Sequence, residues 1–197
     1  MTGFVVVLFC LTYAGMAAGR VPGLRVDRSG IAMIAAVLLV VVGALTDDQV
    51  IDSIHFPTLL LLAGLMVFSA RVGEAGLYHA LSLWIARQAK RPHFLLASTI
   101  AITGVLSAFL VNDIVVFAMT PLLCQGLAVR GLDPRPYLFA LAGASNSGSA
   151  ATLIGNPQNI MIGQVGGLDF WAYFAVAAPP AIVSLVLVYA TIAFFWR

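Results

Sequence analysis

The sequence predicts an all-α membrane protein, a polytopic helical bundle that contains one re-entrant or hairpin element and one broken helix. Composition is the first reason, because 61% of the 197 residues are hydrophobic and only 9% are charged, whereas soluble domains carry about 25% charged residues. The second reason is that the apolar residues form blocks of about 16 to 26 residues, and a helix needs about 20 to cross the hydrocarbon core. The third reason is that polar residues interrupt two of the longest blocks. These observations exclude a water-soluble globule.

Three apolar blocks at the start of the chain predict membrane-spanning helices at residues 3–19, 30–45 and 56–70. We disfavour a cleaved secretory signal for the first block, since the residues ahead of it carry no positive charge. The loop after the first block is basic, whereas residues 46–55 carry three acids and no Lys or Arg. We therefore expect the two loops to face opposite sides of the membrane.

Residues 72–90 follow a different pattern. Leu77, Leu81 and Trp84 fall at helical spacing, and charged side chains occupy the other faces. An amphipathic helix with an interfacial Trp is typical of a segment that lies along the membrane surface. The pattern therefore predicts an interfacial helix here rather than a spanning one.

The remaining chain divides into three apolar segments. Residues 93–129 are apolar except at their middle, where the polar pair Asn112-Asp113 predicts the turn of a helical hairpin. Residues 136–167 contain a longer polar interruption and predict a broken spanning helix, and residues 171–196 predict a final span.

The basic residues constrain the orientation of the chain. If the hairpin enters and leaves on the same face, all ten lie on one side, which the positive-inside rule identifies as cytoplasmic. These residues are Arg20, Arg25, Arg28, Arg71, Arg87, Lys90, Arg91, Arg130, Arg135 and Arg197. The prediction is an integral protein, expected in the bacterial inner membrane, with the N terminus outside and the C terminus in the cytoplasm.

Asp113 is the one charged side chain deep inside an apolar block. Placing a carboxylate at the centre of a membrane helix costs about 2.5–3.5 kcal/mol even on insertion scales. One interpretation is an ordinary turn at the outer surface, since Asn and Asp are common turn residues. The interpretation we favour is a hairpin tip that exposes Asn112 and Asp113 to a central cavity, because irregular backbone at membrane depth must line water or protein.

The polar interruption in residues 143–159 is more informative, because twelve of its seventeen residues are Gly, Pro, hydroxyl or amide residues. Glycine and proline predict that the helix breaks. A break frees carbonyl groups for a cation and presents a helix N terminus to an anion, as in the sites of secondary carriers. Packing of small residues between helices is an open alternative, above all for the serines. The candidate site residues in this segment are Ser145, Asn146, Ser147, Gly148, Thr152, Gly155, Asn156, Pro157 and Asn159.

Other functions find little support. The basic residues form no stripe that would follow a phosphate backbone, so we expect no nucleic-acid partner. Cys10 and Cys124 have no CxxC or Cys/His spacing, so neither a disulfide framework nor a zinc site is predicted. Protease motifs and catalytic dyads are not visible, and we expect neither an enzyme nor an organic cofactor.

The two interrupted segments, residues 107–121 and 144–159, resemble the first hairpin and the first broken helix of the ion transporter superfamily. This group includes divalent anion:sodium symporters, the arsenite-efflux membrane subunit and citrate transporters. The run Thr-Leu-Ile-Gly-Asn-Pro-Gln-Asn, residues 152–159, is the most specific part of the resemblance. It implies that the whole chain is the N-terminal half of an inverted-repeat transporter fold.

The resemblance also implies roles for individual residues. Asn112 would be the hairpin-tip asparagine, and Gly155, Pro157 and Asn159 would belong to the loop of the broken helix. Symporters of this group have Ser-Asn-Thr at the tip, whereas this chain has Val-Asn-Asp at residues 111–113. This departure leads us to expect a carboxylate site for a proton or a cation, with Asn112, Asp113 and Asn146 as the ligands if the cation is sodium.

We expect from this resemblance an ion-coupled secondary active transporter of a small organic or inorganic anion, with sodium or a proton as coupling ion. The alternatives are a sodium/proton antiporter on the same scaffold and a non-transporting membrane scaffold subunit. The second repeat would come from further along a longer chain or from a separate subunit, and the complete carrier could form a homodimer in the lipid bilayer.

Overall fold

The computed structural model describes residues 2–19, 26–88 and 91–196, and within these ranges it consists of ten α-helices joined by short connections with no β-strand. This confirms the all-α fold class. Four of the basic residues that support the predicted orientation, Arg20, Arg25, Lys90 and Arg197, lie outside the described residues. The described chain forms two compact units, residues 1–55 and residues 56–197.

The first unit contains α1 (Thr2–Ala18), α2 (Arg28–Val41) and α3 (Asp47–Ser53). The acidic loop is partly helical, because Thr46 and Gln49 form a capping box at the start of α3. The first turn of α3 contains two aspartates, which the positive end of the helix dipole stabilises.

The second unit begins with α4 (Phe56–Glu74) and α5 (Leu77–Arg87). The chain turns between them at Gly76, whose φ of 84° favours glycine. Residues 72–74 therefore continue the preceding helix, and the amphipathic segment starts as a separate helix at Leu77. One face of α5 is buried against α7, described next, while Trp84 on the opposite face is exposed.

Two helices, α6 (Pro92–Phe109) and α7 (Asn112–Ala128), form the segment that the sequence predicts as a hairpin. Only Leu110 and Val111 separate them, and both have extended backbone. The hairpin therefore turns directly before Asn112 and Asp113, which begin α7 rather than forming a loop.

The next helix is broken. α8 (Arg135–Ser149) ends ahead of an irregular stretch at residues 150–156, and α9 (Pro157–Gly166) follows it. Pro157 occupies the first turn of α9, where its missing N–H leaves no hydrogen bond unmade. The last helix, α10 (Phe170–Phe195), is the longest.

The core of the second unit forms where α6 crosses α8, with α10 packed across both. At the crossing, a Cβ atom on Gly148 would lie 2.5 Å from Gly104 Cα, so the two backbones meet where only glycine fits. Among the described residues, α4, α6 and α10 are long and apolar enough to cross a membrane, and α1, α2 and α7 are shorter apolar helices. The chain is an integral membrane protein.

Candidate functional site

The hairpin turn and the break in the next helix lie against each other. The backbone N–H of Asn112, at the start of α7, donates a hydrogen bond of 3.2 Å to the carbonyl oxygen of Gly155. The hydroxyl of Thr152 donates to the carbonyl oxygen of Ala108, near the end of α6. Each irregular segment thus satisfies backbone groups that the other leaves unpaired.

Ser145 connects the same two segments from the side of α8. Its hydroxyl accepts a hydrogen bond of 3.0 Å from the hydroxyl of Ser107 and donates one of 3.3 Å to the carbonyl oxygen of Asn112. Ser145 is fully buried, so both bonds are shielded from water. Its position fixes the tip of the hairpin relative to α8.

The asparagines of the broken helix hold its loop together. Asn156 caps α9, because its side-chain oxygen accepts from the backbone N–H of Asn159 at 2.8 Å. The side-chain amide of Asn159 donates to the carbonyl oxygens of Thr152 and Ser149, at 2.9 and 3.3 Å. These side chains therefore shape the loop through bonds within it.

Gly155 has no room for a side chain. A Cβ atom there would lie 2.8 Å from the carbonyl oxygen of Ser107 and 2.7 Å from the Cα atom of Ser149. Its backbone approaches α6 and the end of α8 at once, which requires glycine at this position.

A cavity of about 530 Å³ opens between α7 and α8, beside the hairpin tip. Its polar lining consists of Asn112, Asp113, Thr120, Ser145 and Asn146, and its apolar lining of Val116, Phe117, Pro121 and Ala142. The volume suits a small molecule or a hydrated ion.

The side-chain oxygen of Asn112 and the carboxylate of Asp113 lie at this cavity without a partner among the described residues. The side-chain oxygen of Asn112 is buried and accepts no hydrogen bond from a described residue, an arrangement that costs about 1–3 kcal/mol when no ligand compensates it. Asp113 is exposed and takes part in neither of the ion pairs in the described chain. Together with the amide oxygen of Asn146, these groups are hard oxygen donors of the kind that hard cations prefer.

The remaining candidate residues lie elsewhere. Ser147 faces α10, where its hydroxyl is 2.7 Å from that of Ser184, and Gly148 packs on Gly104. Neither lines the cavity between α7 and α8. The loop residues Thr152, Gly155, Asn156, Pro157 and Asn159 also lie outside the cavity lining, at the contact between the break and the hairpin.

The structure adds residues that sequence reasoning missed. The hydroxyl of Ser69, fully buried in α4, accepts a hydrogen bond of 3.3 Å from the backbone N–H of Val111 at the hairpin turn. Thr120 contributes a polar group to the cavity. A hydroxyl within an apolar span is the only signal for either residue, and many such hydroxyls bond only to their own helix.

A broken helix that meets a second irregular segment beside a cavity is a construction that secondary carriers use for their sites. The family model described as citrate transporter matches residues 6–197, and the chain belongs to the citrate transporter family.

Several relatives are named as transporters. The chain is 29% identical over 83% of its length to the putative transporter arsB of Dictyostelium discoideum, covering 29% of that protein. It is 31% identical over 84% of its length to the silicon efflux transporter LSI3 of Oryza sativa, covering 34% of it. An uncharacterized transporter of Mycobacterium tuberculosis is 30% identical over 94% of the chain, which covers 44% of that relative. The chain thus spans less than half the length of each of these relatives, and no solved structure matches it.

Proposed function

We propose that this chain forms one half of an ion-coupled secondary active transporter for a small organic or inorganic anion. The observation that carries the proposal is the hydrogen-bonded contact between hairpin tip and broken helix beside a polar cavity. Irregular backbone in a membrane protein is tolerated where it lines a cavity or is buried in protein, and carrier sites use it to bind ions and substrates. Membership of the citrate transporter family supports transport as the activity.

The coupling cation would bind at Asn112, Asp113 and Asn146. Asp113 supplies the negative charge, and the two amide oxygens complete part of an oxygen shell. The negative dipole end of α6 and the positive dipole end of α7 both lie at the hairpin turn and oppose each other, so the charge of Asp113 is what favours a cation here. A proton on Asp113 would serve the same purpose for a proton-coupled carrier.

The anion would be attracted by two helix N termini. Asn112 begins α7 and Pro157 begins α9, and the bond between Asn112 and Gly155 brings these two ends together. Both ends carry the positive pole of a helix dipole, which stabilises a negative ligand. The loop from Gly155 to Asn159 would orient that ligand through its backbone.

A second repeat would complete the site, supplied by a longer chain or by a separate subunit. The greater length of the relatives supports a second repeat. A homodimer is one option for the complete carrier. We place the protein in a bacterial inner membrane with the N terminus outside, an orientation that labelling of an Asp48→Cys variant from the outer side would test.

A sodium/proton antiporter on the same scaffold is the second candidate. It is favoured by the exposed carboxylate of Asp113 at the cavity, since a titrating carboxylate is what exchange of sodium for protons requires. An antiporter would move sodium against protons with no anion present.

Uptake into proteoliposomes that contain the complete carrier tests the proposal. We expect uptake of one member of a small-anion panel that begins with citrate, driven by an imposed sodium or proton gradient.

Asp113→Asn should abolish gradient-driven uptake because the neutral amide cannot carry the coupling charge, whereas Asp48→Asn, in the exposed first turn of α3, should leave it intact. Gradient-driven uptake by the Asp113→Asn protein at the wild-type rate would contradict the role of Asp113, and sodium/proton exchange without anion would favour the antiporter.

A further inference from the structure

A second cavity, of about 250 Å³, lies between α5 and α7, away from the candidate transport site. Four of its lining residues carry polar side chains: His79, Ser82, Gln125 and Arg130. Leu83, Leu122 and Val129 supply the apolar part of the lining, and Gly126 lets α7 approach α5 closely. None of the lining residues is acidic.

Ser82 at this cavity has an unsatisfied hydroxyl. The residue is only 2% exposed, and its oxygen has no hydrogen-bond partner among the described residues. Most buried polar side chains in proteins are hydrogen-bonded, so an exception needs an explanation. A ligand oxygen in the cavity would supply the missing partner.

Arg130 brings positive charge to the same cavity. One terminal nitrogen of its guanidinium donates 2.7 Å to the carbonyl oxygen of Gly126, which anchors the side chain on the end of α7. Within the described chain the ion pairs belong to Arg71 and Arg135, so Arg130 has no carboxylate partner there. The other guanidinium N–H groups remain available for an anion, and phosphate is a preferred one.

The α5 side of the cavity also favours an anion. Gly76 provides no side-chain cap for the N terminus of α5, and His79 lies in the first turn of that helix. Unpaired backbone N–H groups and the positive dipole end therefore lie close to the cavity. His79 and Gln125 add side-chain N–H donors.

The surroundings of the cavity indicate a lipid. Leu83 and Val129 are 41% and 86% exposed, so an apolar surface continues outward from the polar groups. Trp84, next to Leu83, is half exposed and packs edge-on against Phe94 with ring centroids 6.2 Å apart, and such aromatic residues mark the level of the lipid headgroups. A soluble anion would leave this apolar surface exposed, whereas the acyl chain of a lipid would cover it.

We propose that this cavity binds the phosphate group of an anionic phospholipid, with Arg130 and Ser82 contacting the phosphate and the acyl chain lying along Leu83 and Val129. Basic pockets between membrane helices near the cytoplasmic surface bind lipid headgroups in this way. The bound lipid would fix α5 against α7, the helix that begins at the candidate transport site. The proposal does not depend on which substrate the carrier moves.

Thermal unfolding of the purified full chain in a neutral detergent, with and without dioctanoyl phosphatidylglycerol, tests the proposal. We expect the lipid to raise the Tm, and Arg130→Gln to weaken the lipid affinity about tenfold through loss of a charge-assisted hydrogen bond. Arg87→Gln is the matched control, because Arg87 is exposed at the end of α5 and does not line the cavity. An equal loss in both variants would overturn the proposal.

Two further measurements keep the result decisive if Arg130→Gln fails to fold. Ser82→Ala should raise the Tm without lipid, since it removes an unpaired buried hydroxyl, and should reduce the shift that the lipid causes. A full lipid-induced shift in Ser82→Ala would overturn the contact with Ser82. Sodium phosphate, added in place of the lipid, should give no comparable shift, and an equal shift would overturn the lipid in favour of a free anion.

Discussion

Asn112 connects the two halves of the candidate site through three different atoms. Its backbone N–H donates to Gly155, its carbonyl oxygen accepts from Ser145, and its side-chain oxygen remains unpartnered within the described chain. The backbone atoms therefore hold the tip in place, and the side-chain oxygen takes no part in that contact. Sequence reasoning identified Asn112 from its polarity in an apolar block, but it could not assign these separate roles.

The asparagines at residues 156 and 159 show the opposite case. The sequence analysis placed them at the site because they belong to the polar interruption of an apolar block, where an amide is costly unless it is hydrogen-bonded. In the structure their side chains bond to backbone groups of the loop and of the helix ends that flank it. Local hydrogen bonds thus offset the free-energy cost of burying these amides. Composition alone does not show whether an amide bonds to its own loop or to a ligand.

Asn159→Ala is a prediction at the residue scale. Removing the amide leaves the buried carbonyl oxygen of Thr152 without its donor, so we expect the free energy of unfolding to fall by about 1–3 kcal/mol. Denaturant unfolding in detergent micelles measures this change. Gln158→Ala is the control, because Gln158 is an exposed amide one position away, and it should change stability by less than about 0.5 kcal/mol. Equal effects of the two substitutions would contradict the bonding of Asn159 within the loop.

At the scale of helices, both interruptions of the apolar pattern coincide with interruptions of the backbone. The hairpin turns at Leu110 and Val111, directly before the polar pair, and α8 stops ahead of Gly155 and Pro157. Polar residues and Gly or Pro in an apolar block are local signals, so a single sequence is sufficient to place such breaks. The contact between the two breaks joins residues that are far apart in the sequence, so only the structure shows it.

The hydrogen-bond partners of buried hydroxyls depend on how the helices pack, which the periodicity of the sequence does not specify. The serines at 145 and 147 look alike in sequence, yet the first bonds to the hairpin and the second to α10. Ser69 appeared to be one more residue of an apolar span, but it holds the hairpin turn. In each case the neighbouring helix decides which hydroxyl belongs to the site.

Gly148→Ala is a prediction at the scale of packed helices. A methyl group would collide with the backbone of Gly104 and force α6 and α8 apart, so we expect a loss of about 1–3 kcal/mol in the free energy of unfolding. The same denaturant unfolding measures it. Gly64→Ala in α4 is the control, since a Cβ atom there meets no atom within 4 Å, and alanine should stabilise the helix by about 0.5–1 kcal/mol. A neutral effect of Gly148→Ala would argue against the close crossing.

At the scale of the whole molecule, fold class and family follow from the composition and from the two interrupted segments. The match of the citrate transporter family over residues 6–197 confirms the resemblance stated from those segments. The anion and the coupling ion do not follow, because selectivity depends on distances between ligands from both repeats. In the proposed carrier, this repeat would supply part of a cation shell and two helix N termini, which would fix the kind of ligand but not its identity.

The central claim is that the hairpin and the broken helix meet, and cross-linking across their contact tests it most directly. Ser107→Cys and Ser145→Cys, in a chain with Cys10 and Cys124 replaced by Ala, would place two thiols where the structure has hydroxyl oxygens 3.0 Å apart. We predict that mild oxidation joins them by a disulfide that peptide mass spectrometry detects, because the hydroxyl contact shows that the two side chains point toward each other, as a disulfide requires. Ser107→Cys with Ser147→Cys is the control, since Ser147 faces α10, and it should remain reduced. Absence of the disulfide in the first pair, or its equal formation in the control pair, would contradict the account.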